Sequence, residues 1–379
     1  AAPGEGWLPP ASARVVVLTG RGHDALAGRI AAEAGRRRRA PRLIRVLEGE
    51  TAREGAAMGS EGWEVLDLEA SAARVRLAAR PLHAGMDPLH AQVPHLLVGG
   101  EGRPADALIV HAMRLARYGE APPVFTLACR DPDRRRRDFL AAHPQAEKLG
   151  ILRFTGLVAA DLAGVVPVTA AAIYMSSAAD GLAAARRLAA DIARVQGVSP
   201  WIQVEIGEGV PDGDLDDWDG QILPFSWLRD ACRPAVWLDG GEDALTRVIH
   251  EHYRDSIAAQ GRDPAAEPAG RPWEGLAPSY RDANRHQADH LEAKLTVTDC
   301  RAVPEERVES FAFAPLEVER LAVIEHGRWA ADRYLDGWRY APERDNARKH
   351  HPQLIPYDDL SGPMKDLDRF AVRLVPTLL

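Results

Sequence analysis

Through the first two thirds of the chain, short apolar runs alternate with longer alanine-rich stretches. Arg14–Thr19 (RVVVLT) predicts a buried strand, and the residues after it a helix to about Gly35. Leu43–Leu47 and Trp63–Leu68 predict two further strands. After an irregular stretch, Arg80–Val93, the alternation starts again. His95–Val98 predicts a strand, the residues to about Tyr118 a helix, and Val124–Ala128 the next strand. The strand Ala171–Ser177, the helix Gly181–Arg194 and the strand Trp201–Glu205 continue the series. Ala235–Leu238 predicts a short strand and Asp243–Ala259 a helix. Strands this short and apolar, separated by helices, belong to a mostly parallel sheet covered on both faces.

Gly261–Pro272 (GRDPAAEPAGRP) predicts a linker. Beyond it the pattern is helical, with little or no strand expected. The organisation read from the pattern is an α/β unit over 1–93, half of a nucleotide-binding fold, and a Rossmann-like domain over 94–260. The linker 261–272 and an all-α module over 273–379 follow. The fold class is therefore α/β, with Rossmann-like parallel sheet regions followed by an all-α module.

Two predicted strand-to-helix turns carry glycines at a telling spacing: Gly20-x-Gly22-x-x-Ala25 and Gly100-x-Gly102-x-x-Ala105. Strand, GxGxxA and helix is the order of a dinucleotide fingerprint, in which glycine lets the backbone approach a phosphate at a helix N-terminus. Glu48 and Asp131 fall at the ends of the next strands, where an acid meets the ribose. The alternative is that these glycines only make tight turns. Over Pro94–Glu205 the order of elements resembles the NAD-binding, RCK-type (TrkA-N) domain of potassium transport regulators. That family also runs from a Gly-rich turn through an acidic strand end to a strand, a polar turn carrying an acid (here Asp180) and a helix. The resemblance implies a nucleotide at Gly100, Gly102, Asp131 and Asp180, and a homodimer. Glu101 departs from the family pattern and would put a negative charge beside a phosphate. A fold kept for dimerisation alone is the alternative.

Near the end of the chain, Leu321–Leu360 begins as a helix, with Leu321, Ile324, Trp329 and Leu335 at roughly helical spacing. Gly337 is a plausible stop for it. Trp338, Tyr340, Arg344, Asp345, Lys349 and His351 follow closely, and Pro352 and Pro356 extend the segment to Tyr357. Aromatic planes beside cations suit a flat anionic ligand. The Glu325-His326-x-x-Trp329 start, Gly337-Trp338-x-Tyr340, Arg344-Asp345 and His351-Pro352-x-Leu354-x-Pro356-Tyr357 resemble the ryanodine-receptor (RyR) domain. Lys365 and Asp368 also fit that pattern, and Ala341 departs from its usual glycine. With the upstream segment Trp273–Leu295, the resemblance covers roughly Trp273–Leu379. It implies a ligand-sensing or interaction module rather than a catalyst. The candidate ligand residues are Trp338, Tyr340, Arg344, Asp345, Lys349, His351, His326 and Trp329. Asn284, Arg285 and Gln287, upstream, complete the set; Asn284 and Gln287 share a helical face.

Composition narrows the field. The formal net charge of -8 argues against a general nucleic-acid binder. Cys129, Cys232 and Cys300 form no CxxC pair, which suits a reducing compartment, and no apolar run is long enough to span a bilayer. A cytoplasmic location follows. The chain begins with Ala, so a membrane channel part outside it is one expected partner. Asp212, Asp214 and Asp216 have the alternate spacing of a calcium loop but lack its Gly and Glu, and His286 and His290 lack a third ligand, so no metal is expected. The arginine run Arg134–Arg137 reads as a solvated helix face. GxSxG, HExxH, P-loop and kinase motifs are all missing, so the chain is not expected to be an enzyme. The main expectation is a cytosolic ligand-sensing regulator, or the regulatory part of an ion channel or transporter, that binds NAD or another nucleotide-like ligand. The alternatives are a non-catalytic dimeric scaffold and an NAD-dependent oxidoreductase.

Overall fold

The computed structural model of the chain describes residues 8–10, 12–19, 24–37, 41–47, 63–87, 93–156, 159–207, 221–233, 243–307 and 310–378. Gly20, Gly22, Glu48, Asp212, Asp214, Asp216 and the strand expected at Ala235–Leu238 lie outside the described residues. The chain forms two compact units, each assembled from two stretches. One comprises Ala1–Ser71 and Ala231–Arg285, the other Ala72–Asp230 and His286–Leu379. The range 94–260 therefore contributes to both.

The first unit holds a three-stranded parallel sheet, β1 (Val15–Thr19), β2 (Arg42–Leu47) and β3 (Glu64–Asp67), with β2 central. Helix α1 (Asp24–Gly35) places Leu26, Ala27 and Ile30 against Val16, Leu18 and Leu43. Trp63 closes this core, and its Nε1 donates to the Ala27 carbonyl at 3.1 Å. The Trp63–Leu68 strand ends one residue early, because Leu68 already begins a helix, α2 (Leu68–Ala79).

The six-stranded sheet of the second unit is all parallel. Its strands are β4 (His95–Gly100), β5 (Val124–Ala128), β6 (Ile151–Thr155), β7 (Ala170–Tyr174), β8 (Trp201–Glu205) and β9 (Ile222–Phe225). The spatial order is β6-β5-β4-β7-β8-β9. Counted from β4 this is 3-2-1-4-5-6, the doubly wound Rossmann order. Three helices connect it: α3 (Arg103–Leu115), α4 (Pro132–Ala142) and α5 (Ala178–Gln196). The inner strands β4, β5, β7 and β8 are buried almost throughout, and Leu188 and Ile192 of α5 pack on Ile173, Ile202 and Val204. His95 is buried among them, and burial pulls its pKa down to about 4. The neutral ring donates from Nδ1 to the Val166 carbonyl at 2.7 Å and accepts at Nε2 from the Thr126 hydroxyl at 2.8 Å.

After β9 come α6 (Trp227–Ala231) and α7 (Ala244–Ala259), where the chain returns to the first unit. The Pro- and Gly-rich segment 261–272 is not a free tether. It folds into short 3-10 turns held to α7, where His250 Nε2 donates to the Arg271 carbonyl at 2.7 Å and Arg254 Nε to Gly270 at 3.2 Å. Buried Trp273 then meets the His250 ring edge-on at 5.8 Å.

The C-terminal module is helical: α8 (Pro278–Asp289), α9 (Leu291–Thr296), α10 (Pro315–Leu335), α11 (Gly362–Arg373) and α12 (Val375–Leu378). Its strands, β10 (Arg339–Tyr340) and β11 (His350–His351), are two residues each. Gly337 ends α10 as the sequence suggests. At φ 84 it lets its own N–H reach the Tyr334 carbonyl at 3.0 Å and the Trp338 N–H the Arg333 carbonyl at 2.9 Å, a Schellman closure. Ala322 of α10 packs on Tyr357 and Leu360, α11 lies along α10, and α10 also packs on α3 of the sheet.

Candidate functional site

The turn after β4 sits at the switch point of the sheet, where β4 lies between β5 and β7. Gly100 has φ 105 and pairs with Tyr174 in register, and a Cβ there would overlap the Tyr174 carbonyl oxygen. Gly102, at φ 118, is the N-cap of α3, and among the described residues no side chain caps this helix start. Both glycines are thus required by backbone geometry. The other residues expected here follow the neighbouring strands. Asp131, just past β5, is exposed and caps α4 by accepting from the Arg134 N–H at 3.0 Å. Asp180 lies in the first turn of α5, where its carboxylate accepts from the Ser177 hydroxyl at 2.7 Å. Glu101, between the glycines, is paired with Arg134 Nη2 at 2.6 Å.

Sequence reading missed a second group at the ends of β7, β8 and β9. Tyr174 stands edge-on to Phe225 at 5.4 Å, and the Arg76 guanidinium lies 5.3 Å over the same ring. Arg76 is 3.6 Å from Asp230. Glu205 is buried, which raises its pKa, and its two oxygens accept the N–H groups of Gly207 at 3.0 Å and Trp227 at 2.9 Å. The signal available was an acid ending an apolar strand, Trp201–Glu205, as Asp131 follows β5.

In the C-terminal module the expected ligand residues divide. His326, Trp329, Trp338 and His351 form one internal group. His326 stacks on Trp329 at 5.5 Å, and His351 meets Trp329 at 4.9 Å and Trp338 at 5.9 Å. Burial first, then nearby Arg344 and Arg333, lowers the His351 pKa to about 4. His326 donates from Nε2 to the Ile355 carbonyl at 2.9 Å and shares a proton at Nδ1 with Asp368 at 3.2 Å. Burial opposes charge on that ring, but Asp368 outweighs it and the pKa rises. Trp338 donates from Nε1 to Asp336 at 2.9 Å. Lys349, at φ 55, closes the end of α10 by reaching the Asp336 carbonyl at 2.6 Å.

Tyr340, at the end of β10, and Arg344 and Asp345, on the loop between β10 and β11, instead lie toward the surface. Tyr340 is 54% exposed, Arg344 Nε donates to Asn346 at 3.0 Å, and Asp345 accepts the N–H groups of Ala347 at 2.9 Å and Arg348 at 3.0 Å. Asn284, Arg285 and Gln287 do not fall in one unit. Asn284 donates to the Tyr280 carbonyl at 2.9 Å, Arg285 forks onto Asp243 at 2.7 and 2.6 Å within the first unit, and Gln287 is half-buried on α8 in the second.

Charged groups join the sheet to this module inside the second unit. Asp332 of α10 accepts from His286 at 2.8 Å and lies 3.3 Å from Arg114 of α3. Burial works against its charge, yet His286 and Arg114 hold its pKa well below the usual carboxylate range. Arg74 of α2 pairs with Asp289 at 2.7 Å, which also lies 3.5 Å from His111 of α3. Gln145 donates to the Trp338 carbonyl at 2.6 Å. Within the module, Glu325 is 3% exposed and takes both Lys294 and Arg328 at 2.8 Å. Among the described residues no group of three or more His, Cys, Asp or Glu could hold a metal ion, and no helix is long and apolar enough to cross a membrane.

Comparison with known families bears out the C-terminal reading from residue 315 on and does not reach the upstream segment Trp273–Leu295. The model of the RyR domain matches residues 315–378, from the first residue of α10 through α12. The chain thus carries an RyR domain, docked on the first helix of a Rossmann-ordered sheet.

Proposed function

We propose that the chain is a ligand-sensing regulatory protein, not a catalyst, and that a nucleotide-like ligand such as NAD binds at the carboxyl ends of β4, β5 and β7. The observation that carries this reading is the 3-2-1-4-5-6 strand order with Gly100 and Gly102, both at positive φ, beside its switch point. The residues present fit such a ligand. The start of α3 offers backbone N–H groups and the positive end of a helix dipole to a phosphate. Asp131 suits the ribose hydroxyls, and Arg134 offsets the charge of Glu101. Occupancy at one end of α3 is passed to the RyR domain through the other, where Arg114 meets Asp332. The resemblance to RCK-type regulators supports a cytosolic homodimer that controls an ion channel or transporter.

A second reading places an anionic, ring-bearing ligand on the RyR domain. It is favoured by an open groove of about 470 Å³ lined by Arg344, Arg348 and His350, with exposed Tyr340 on the strand before it. Thermal unfolding with a nucleotide panel separates the two, since a ligand bound by the native state raises apparent stability. If Gly102→Val abolishes the shift and Arg344→Ala leaves it, the sheet is the site. The converse assigns the groove. A panel that shifts nothing contradicts both.

A further inference from the structure

We propose that the second unit carries a separate pocket for a small organic amine, which buries its apolar body and sets its ammonium against Glu292. A cavity of about 230 Å³ lies where α2, the turn Leu82–Gly85, the end of α3 and the α8–α9 junction meet. It is at the opposite end of α3 from Gly102, so it stands apart from the nucleotide position. At about 30 Å³ per molecule it has room for roughly eight waters, below the usual range for drug-sized ligands.

Leu77, Leu82, Leu115 and Ala293 give it an apolar wall, and polar groups line almost as much of the rest. Tyr118 also lines it, 6% exposed, with its hydroxyl 3.1 Å from His83 Nδ1. Burial lowers the His83 pKa, and the other ring nitrogen, Nε2, lies 3.7 Å from Glu292. The two other charges on the wall, Arg74 and Asp289, are spent on each other at 2.7 Å. Glu292 has its side chain 66% exposed, and among the described residues no Lys or Arg pairs with it. An ammonium there gains a charge-assisted hydrogen bond, while a carboxylate would meet the charge of Glu292.

The test is calorimetric titration of the full chain with benzylamine, benzyl alcohol and benzoate. Benzylamine is expected to bind one per chain, about fivefold tighter than benzyl alcohol, near the upper limit for a partly exposed ion pair. Benzoate should give no heat. Glu292→Gln should bring benzylamine down to the level of benzyl alcohol, and Ala288→Leu, which fills the cavity, should abolish binding of both with the circular dichroism spectrum unchanged. Absence of benzylamine binding, or binding that survives Ala288→Leu, overturns the site. Equal affinity for amine and alcohol, or an unaltered Glu292→Gln variant, overturns the ligand class.

Discussion

Replacing Glu325 with Ala tests the charge arrangement on which the RyR domain rests. Glu325 is buried, and it accepts from Lys294 Nζ at 2.8 Å and from Arg328 at 2.8 Å (Nη2) and 3.1 Å (Nε). Lys294 is 1% exposed, so the substitution leaves two buried cations without their shared anion. Removing one partner of a buried pair costs about 3–5 kcal/mol. A second route reaches the same scale: if Lys294 escapes by losing its proton at pH 7, moving an amine from about 10.4 to 7 costs about 5 kcal/mol. The assay is native-state hydrogen exchange of α9 and α10 as urea is added, because a chain of two units has no single unfolding free energy. Opening of these helices should become easier by about 3–5 kcal/mol. Adding Lys294→Met to Glu325→Ala should recover part of the loss, since one stranded cation is then gone. A change below about 1 kcal/mol, the scale of a surface pair, would refute the reasoning.

Two further predictions concern folding. His95 and His111 are buried and their pKa values are pulled down to about 4, so the native state keeps them neutral while the unfolded chain binds protons below about 6.5. Stability should therefore fall as pH drops from about 6.5 to 4, by up to about 3 kcal/mol for each histidine, and a flat urea midpoint across that window would contradict this. Gly100→Ala should destabilise the second unit by several kcal/mol, since it combines overlap at Tyr174 with positive φ, whereas Gly102→Ala meets only Pro104 Cδ at 3.9 Å, an ordinary contact, and should cost about 1–3 kcal/mol of conformational strain; equal losses in thermal unfolding would show that the turn is not held as described.

What was legible in the sequence follows from burial. The inner strands β4, β5, β7 and β8 are covered on both faces, so each stood out as an apolar run flanked by helices. Edge strands β6 and β9 carry less buried positions, which admit Arg153 and Pro224, and neither run was recognised. Helix α2 was missed because its first residue, Leu68, reads as the last of the apolar run before it. The glycine turn was readable from spacing, since only backbone conformation is at stake. Side-chain direction was not. His326, Trp338 and His351 lie in the interior and Tyr340 and Arg344 on the surface, although motif spacing treats them alike. Nothing local marks Lys294 as buried; its partner Glu325 is 31 positions away on another helix.

Hydrogen exchange with and without a saturating nucleotide, the one giving the largest thermal shift, tests the central claim most directly. The account predicts slower exchange at Gly99–Ala105 and the end of β5, accompanied by slower exchange along α3 and α10. Protection confined to residues 339–351, with Gly99–Ala105 unchanged while the ligand is bound, would contradict it.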